Sequence, residues 1–439
     1  MSQPHTNLLR ALRRWDLASV VINGVIGASI FGLPSTIFGM LGAYSVFAFL
    51  VCACCVAVLV FCFVEVSSRY AGTGGPYLYA RDSFGPATGF TVGWLVWVAR
   101  VTSFSAGCNL LLDYLDLFFP GVTHGYLRIA VLTGVVLTLG ILNIAGIRSV
   151  ANANNVLAVG KLLPLAIFIV AGIFFLDPAR FSFAHPPAFH VFSQSLLLLI
   201  FTFTGFENAV IPAGEIRDPK RDLPAMLVVA MATVVTVYVL IQIVCIGTLP
   251  NLAISRRPLA DAADRFLGEP GVLLMMLGIV ISLIGNLNTN LLSASRVIFA
   301  MAERRDLPPQ LAFIDERRRT PVYAVAGTVA VILGLALSGT FIYLLTLSSL
   351  AKLVTYIATC ASLLVFQKRS GMPTAAFVLS GGTMLACVGI VICVWLLAAT
   401  SLRAGRDTII AVLLGLALYA ATRYFFAARD SEIVKTEAG

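Results

Sequence analysis

Residues 24–32 read GVIGASIFG and lie near the middle of the first long apolar stretch of the chain. A later apolar stretch is interrupted in a similar way, because residues 201–208 read FTFTGFEN. Glycine and small polar side chains in the middle of such a stretch disfavour a continuous helix. Interrupted helices at matching positions of two halves of a chain indicate two repeats of opposite orientation. We therefore predict that these two helices are broken near their centres.

The composition predicts a helical membrane protein. Of the 439 residues, 59% are hydrophobic and only 12% are charged, a balance that an ordinary water-soluble domain does not accommodate on its surface. Apolar stretches close to the roughly 20 residues that a helix needs to cross a bilayer recur along nearly the whole chain. Transmembrane β-barrels show short alternating segments instead. The expected fold class is an all-α membrane protein that crosses the lipid bilayer many times.

The apolar stretches give twelve candidate transmembrane helices, of which the first and the sixth are the interrupted ones. Their bounds are 15–38, 42–66, 86–116, 126–147, 150–176, 191–214, 223–249, 270–301, 321–340, 343–367, 373–399 and 408–427. The predicted organisation is a tail over 1–14, a first inverted repeat over 15–176, a second over 191–367, two peripheral spans over 373–427 and a tail over 428–439.

Lysine and arginine are concentrated in alternate loops, and this pattern predicts the orientation of the chain. The clusters precede span one, surround Arg69 and Arg81, occupy 217–221 and 304–319, and include Lys368 and Arg369. By the positive-inside rule both termini are cytoplasmic, in a multi-pass protein of the inner (plasma) membrane. Arg256, Arg257, Arg403 and Arg406 lie on the predicted outside and weaken the pattern without reversing it. Topology then explains the net charge of +9, and no nucleic-acid partner is expected.

The two predicted breaks together suit a small zwitterion. Unwound backbone persists in hydrocarbon only where protein, water or a ligand satisfies its N–H and C=O groups. After the first break a new half-helix begins, and its free N–H groups attract a carboxylate. The carbonyl groups of the second break suit an ammonium group. The candidate binding residues are Ile26, Gly27, Ala28, Ser29, Ile30, Phe201, Thr202, Phe203 and Thr204.

An alternative is that the glycines only allow tight packing between helices, as small residues often do in membranes. The placement of a break in both spans, with aromatic residues and threonines around the second, favours the binding site.

Several motifs resemble those of the amino acid–polyamine–organocation family of permeases, and they extend over most of the chain. Residues 24–32 resemble that family's GxIGSGIF element. The other motifs are EVSSRY at 65–70, GGPYLY at 74–79, GFE at 205–207, EIRDPKRDLP at 215–224, SR at 295–296 and LP at 307–308. In this order and spacing a chance match is improbable.

The resemblance implies a five-plus-five inverted repeat (LeuT-like) that works by alternating access around an amino-acid site at mid-membrane. Phe201 matches the aromatic gate that closes over the substrate in such permeases, and an ordinary packing role is the alternative. In one respect the chain departs from the family, because the usual Ser-Gly pair is Ala28-Ser29 here. The Ser29 hydroxyl either donates to the substrate carboxylate or crowds it, so substrate size stays open.

Three ionisable residues lie within predicted spans close to this site. Lys161 resembles a lysine that, in part of the family, occupies the space of a sodium ion, which implies coupling without sodium; the alternative is a side chain that extends to the cytoplasmic face. Glu207 is a candidate for proton coupling or for hydrogen-bonding the unwound backbone. Arg100 either pairs with Glu207 or binds a substrate carboxylate.

Other charged residues receive different interpretations. Glu65, Arg69 and the loop 215–221 are expected to form cytoplasmic salt bridges that keep the inward gate closed. Asp113 and Lys352 lie nearer span ends or interfaces and are given no role.

The sequence thus predicts a secondary transporter of amino acids, a proton symporter or an exchanger, as a monomer or homodimer. One alternative is an antiporter of polyamines or other organic amines, which would require acidic residues in the pocket. A second is a carrier of acidic amino acids in which Arg100 reads the side-chain carboxylate. A third is a non-transporting sensor, which usually has added soluble extensions. No enzyme, catalytic residue, cofactor or metal site is expected, because no nucleophile–base pair or metal cluster lies at membrane depth.

Overall fold

The computed structural model describes residues 8–338, 341–369, 371–398 and 402–437. Over these ranges the regular structure is helical, and the one β-type pairing is a single parallel bridge between Leu12 and Ile216. Nine segments of the described chain are long and apolar enough to cross a membrane, and two shorter apolar helices accompany them. The predicted all-α membrane class is confirmed.

The α-helices begin and end as follows in chain order. They are α1 (Arg14–Val25), α2 (Ser29–Leu41), α3 (Ser45–Ser67), α4 (Pro76–Phe84), α5 (Pro86–Leu115), α6 (Gly125–Ile144), α7 (Ile147–Ile173), α8 (Phe189–Thr202), α9 (Pro219–Thr248), α10 (Pro258–Leu267), α11 (Glu269–Glu303), α12 (Val322–Ser338), α13 (Phe341–Lys368), α14 (Gly382–Ala398) and α15 (Leu402–Glu437).

The first predicted span is broken where its glycines indicate. Helix α1 ends at Val25, Ile26 has an extended backbone, and α2 begins at Ser29. The predicted interruption is therefore confirmed at Ile26, Gly27 and Ala28.

The second break is larger than the sequence predicted. Helix α8 ends at Thr202, and the chain continues through turns and short 3-10 segments until α9 begins at Pro219. The predicted span 191–214 therefore has no regular α-helix after residue 202. Gly205 permits the turn that follows the end of α8, because its φ of 119° is accessible to glycine but strained for other residues.

The two breaks touch each other through their backbones. A Cβ atom added to Gly205 would lie 2.1 Å from the carbonyl oxygen of Gly24, and one added to Gly24 would lie 2.5 Å from that of Gly205. Only two glycines allow this approach. The contact holds the unwound parts of both helices at the same place in the bundle.

Other helix bounds agree with the predictions to within a few residues, with two kinds of exception. Helix α14 begins at Gly382 rather than at residue 373, and α15 continues through the predicted tail to Glu437. The short helices α4 and α10 were missed because neither is long enough to read as a span. Residues 1–7 of the predicted tail lie outside the described residues, as do 339–340 and 399 at the ends of two predicted spans.

Helix α5 is at the centre of the bundle, where it packs against α11 and α13. Helix α1 packs against α7, α9 and α11. These helices surround the two breaks, and many of their polar side chains are buried with partners inside the protein.

Candidate functional site

A cavity of about 680 Å³ lies between α2, α5, α8 and α13, directly beside the two breaks. Its lining continues from the breaks along α2 to Thr36 and along α5 to Tyr114, so it extends toward the predicted outer face. Six of the predicted binding residues line it: Gly27, Ala28, Ser29, Phe201, Thr202 and Thr204. The structure thus brings residues of both breaks to one space that is large enough for an amino acid.

Four predicted binding residues lie outside the cavity lining. Ile26, Ile30 and Phe203 are fully buried in the protein core, and the Phe203 ring packs on that of Tyr238. Arg100 is also buried and is engaged by a carboxylate. At each broken helix, the side chains that point away from the cavity are buried in the bundle, and those that point toward it form part of its lining.

The carbonyl groups released by the first break are held by α7 and α11. Asn286 Nδ2 donates to the carbonyl oxygen of Gly24 at 2.8 Å, and Ser282 Oγ donates to that of Ile26 at 2.8 Å. Neither residue was predicted. A signal was present, because Ser282, Asn286 and Asn290 recur four apart on one face of the apolar helix α11.

Lys161 of α7 completes this arrangement. Its ammonium group donates to the carbonyl oxygens of Ile26 at 2.6 Å and of Ser282 at 3.1 Å, and the side chain is 0% exposed. Lys161 therefore does not extend to the cytoplasmic face. The predicted contact with the unwound carbonyls of span one is present.

Arg100 and Glu207 form an ion pair beneath the cavity. Arg100 Nη2 donates to Glu207 Oε1 at 2.7 Å, and both side chains are 1% exposed. Glu207 Oε2 accepts the backbone N–H of Gly205 at 2.8 Å, so this carboxylate also stabilises the second break. Arg100 lies one turn before Ser103, which lines the cavity from the same helix. Of the two alternatives for Arg100, the structure shows the pairing.

Glu207→Gln is expected to lower the free energy of unfolding by about 3–5 kcal/mol, because it leaves the buried charge of Arg100 without its partner. Within the described chain, Nε and Nη1 of Arg100 have no hydrogen-bond partner that could compensate. Thermal or denaturant unfolding of the detergent-solubilised protein measures the effect. The matched control is Glu316→Gln on an exposed loop. The double variant with Arg100→Gln is expected to recover most of the loss, and a double variant as unstable as the single one would contradict this account.

Lys352 of α13 also lines the cavity, beside Ser349 and Leu350. The sequence interpretation gave it no role, because it was placed near a span end or an interface. No local motif surrounds it, so only the packing of α13 against α5 reveals where it lies.

The end of the bundle opposite the cavity opening is closed by buried ion pairs. Two of the three guanidinium nitrogens of Arg296, Nε and Nη2, donate to Glu215 at 3.0 and 2.9 Å, and both side chains are 0% exposed. Arg69 pairs with Glu65 at 2.9 Å. The predicted salt bridges at this end are confirmed for Glu65, Arg69 and Glu215, although the partner of Glu215 was not foreseen.

Three further contacts strengthen this closed end. Arg81 and the Tyr77 hydroxyl both donate to the carboxylate of Asp306. Burial raises the pKa of Asp306 above its ordinary value, although these two donors act in the opposite direction. The backbone of Leu12 pairs with Glu215 and Arg217, which ties the start of the chain to the loop after the second break.

Comparison with known proteins gives a match over most of the chain. A family model described as amino acid permease matches residues 12–418. An arginine/agmatine antiporter of Chlamydia pneumoniae is 25% identical, in an alignment that covers 92% of this chain and 88% of that protein. A serine/threonine exchanger of Bacillus subtilis is 25% identical, with 80% of this chain and 82% of that protein covered. The matched residues include both breaks and the cavity lining.

Proposed function

The chain belongs to the amino acid permease family, and from this premise we propose that it is a sodium-independent secondary transporter of amino acids that works by alternating access. The observation that carries the proposal is the meeting of two broken helices at one cavity. The first turn of α2, whose N–H groups lack partners within the helix, suits the substrate carboxylate. The unwound carbonyls after α8 suit its ammonium group.

The proposed architecture has twelve spans, with spans one to five repeated in inverted orientation as six to ten. In this assignment α1 and α2 form span one, and α8 with the segment 203–218 forms span six. Both termini are then cytoplasmic, and the cavity opens to the outside. The lysine-rich and arginine-rich loops support this orientation.

Lys161 supports independence from sodium, because its Nζ already donates a hydrogen bond to the carbonyl oxygen of Ile26 that a metal ion would otherwise coordinate. The relatives include an antiporter and an exchanger, which supports exchange of substrates. Proton symport is the second mode that the proposal retains, with Glu207 as the coupling candidate.

An antiporter of organic amines is less well supported. The described residues that line the cavity include no aspartate or glutamate, whereas a polyamine requires acidic partners. Glu207, the one acidic candidate, is already paired with Arg100.

Uptake by purified protein in liposomes tests the proposal. A panel of labelled amino acids is offered with and without a pH gradient, with and without unlabelled substrate inside, and with sodium replaced by choline. We expect saturable uptake of at least one amino acid that is unchanged in choline. Uptake that requires sodium, or no uptake of any amino acid by folded protein, would refute it.

Phe201→Ala is expected to reduce uptake by about tenfold, because the partly exposed ring lines the cavity and is proposed to close over bound substrate. Initial uptake rates over a range of substrate concentrations measure the change. Phe189→Ala, at the exposed start of the same helix, is the matched control. If Phe201→Ala takes up substrate at the wild-type rate, Phe201 has only an ordinary packing role.

A further inference from the structure

Lys352 is a charged group on the cavity wall that the proposed function leaves unused. Its side chain is half-buried and lines the cavity from α13. Among the described residues it has no hydrogen bond or salt bridge, in contrast to Lys161 and Arg100. An ammonium group at membrane depth is expensive without a partner, so it indicates a function.

The surroundings of Lys352 carry excess positive charge. The charges of Glu207 and Arg100 both act on Lys352. Glu207 is already hydrogen-bonded to Arg100, so this group of two cations and one carboxylate is left with an uncompensated positive charge. Among the described lining residues no aspartate or glutamate offsets it. A bound substrate therefore experiences a positive potential from this wall.

This potential discriminates between substrate side chains. In the low dielectric of a membrane protein, a cationic side chain close to Lys352 would be repelled, and an anionic one would be attracted. The α-carboxylate and α-ammonium groups already have partners at the two breaks under the proposed function. Lys352 is thus available for a group on the substrate's side chain.

We propose that Lys352 binds a carboxylate on the substrate's side chain, so that the transporter selects acidic amino acids. This inference rests on the proposed function and names its substrate class. Under this inference the side-chain carboxylate binds to Lys352, which lines the cavity. It does not bind to Arg100, which is buried and paired with Glu207.

Proteoliposomes that contain wild-type protein, Lys352→Gln, Lys352→Arg or Lys368→Gln test the inference. Lys368 is the matched control, because it lies exposed at the end of the same helix. Each protein is assayed at one pH with labelled L-aspartate, L-glutamate, L-asparagine, L-glutamine and L-arginine. Thermal unfolding of each variant checks that it is folded.

We expect the wild type to prefer acidic substrates over their amides, and Lys352→Gln to reduce this preference by about tenfold or more, the effect of one lost charge pair of about 1.4 kcal/mol. Lys352→Arg and Lys368→Gln should retain the preference. A wild type that transports only neutral or cationic amino acids would overturn the inference while leaving the proposed function intact. Equal loss of all substrates in folded Lys352→Gln would also overturn it, because Lys352 would then bind the common α-carboxylate. Failure of every amino acid to be transported by folded wild-type protein would overturn both.

Discussion

Lys161→Ala is expected to abolish amino-acid uptake while the protein still folds. The ammonium group bridges the carbonyl of Ile26, at the first break, and that of Ser282 on α11. Without it the unwound carbonyl of Ile26 keeps the Ser282 hydroxyl as a donor but loses its contact with α7, which helps to position α2 at the cavity. Liposome uptake is expected to fall by about tenfold or more, to the level of empty liposomes.

The control for this prediction is Lys368→Ala, which removes an exposed lysine from the end of α13. Thermal unfolding in detergent shows whether Lys161→Ala remains folded, because Ser282 still donates to the Ile26 carbonyl. The pH dependence of uptake is measured for both variants. A wild-type rate with an unchanged pH profile for Lys161→Ala would refute a role in coupling.

Gly205→Ala is expected to prevent correct folding, which is a larger effect than that of any side-chain change at the cavity. The added methyl group would lie 2.1 Å from the carbonyl oxygen of Gly24, and this neighbour is backbone, which has no rotamer with which to yield. The residue also has a φ of 119°, where a Cβ atom adds about 1–2 kcal/mol of strain. The yield of monodisperse protein after detergent extraction measures the outcome.

The matched control for Gly205→Ala is Gly327→Ala, because a methyl group at Gly327 in α12 meets nothing within 4 Å. This control is expected to give wild-type yield and uptake. Wild-type yield for Gly205→Ala would mean that the two breaks do not approach each other as the structure describes.

The sequence predicted the helical class and the positions of the breaks, because both follow from local composition. Glycines at Gly24, Gly27 and Gly205 mark where a helix stops, and long apolar stretches mark where it continues. The sequence did not predict how far the second break extends. That length depends on the tertiary contact of Gly205 with Gly24 and on the ion pair that Glu207 forms with Arg100, neither of which is local.

The sequence predicted which backbone segments form the candidate site, but it predicted less well which of their side chains line the cavity. Ser29 and Phe201 reach the cavity as expected, whereas Ile30 and Phe203 turn away, since only one side of each broken segment faces it. Lys352 could not be assigned because its importance depends on the packing of a distant helix. The role of such a residue becomes visible only in the folded bundle, where helices that are distant in sequence contact each other.

The ion pairs at the closed end have a consequence for the transport cycle. Under the proposed alternating access, opening of this end separates Arg296 from Glu215, two charges that are bonded and shielded from water. In the substrate-bound protein, contacts with the substrate that form as the outer side closes can offset the free energy lost with this ion pair. The empty protein gains no such contacts. We therefore propose that the unloaded return is the slow half of this cycle, so that exchange of one substrate molecule for another is expected to be faster than net accumulation.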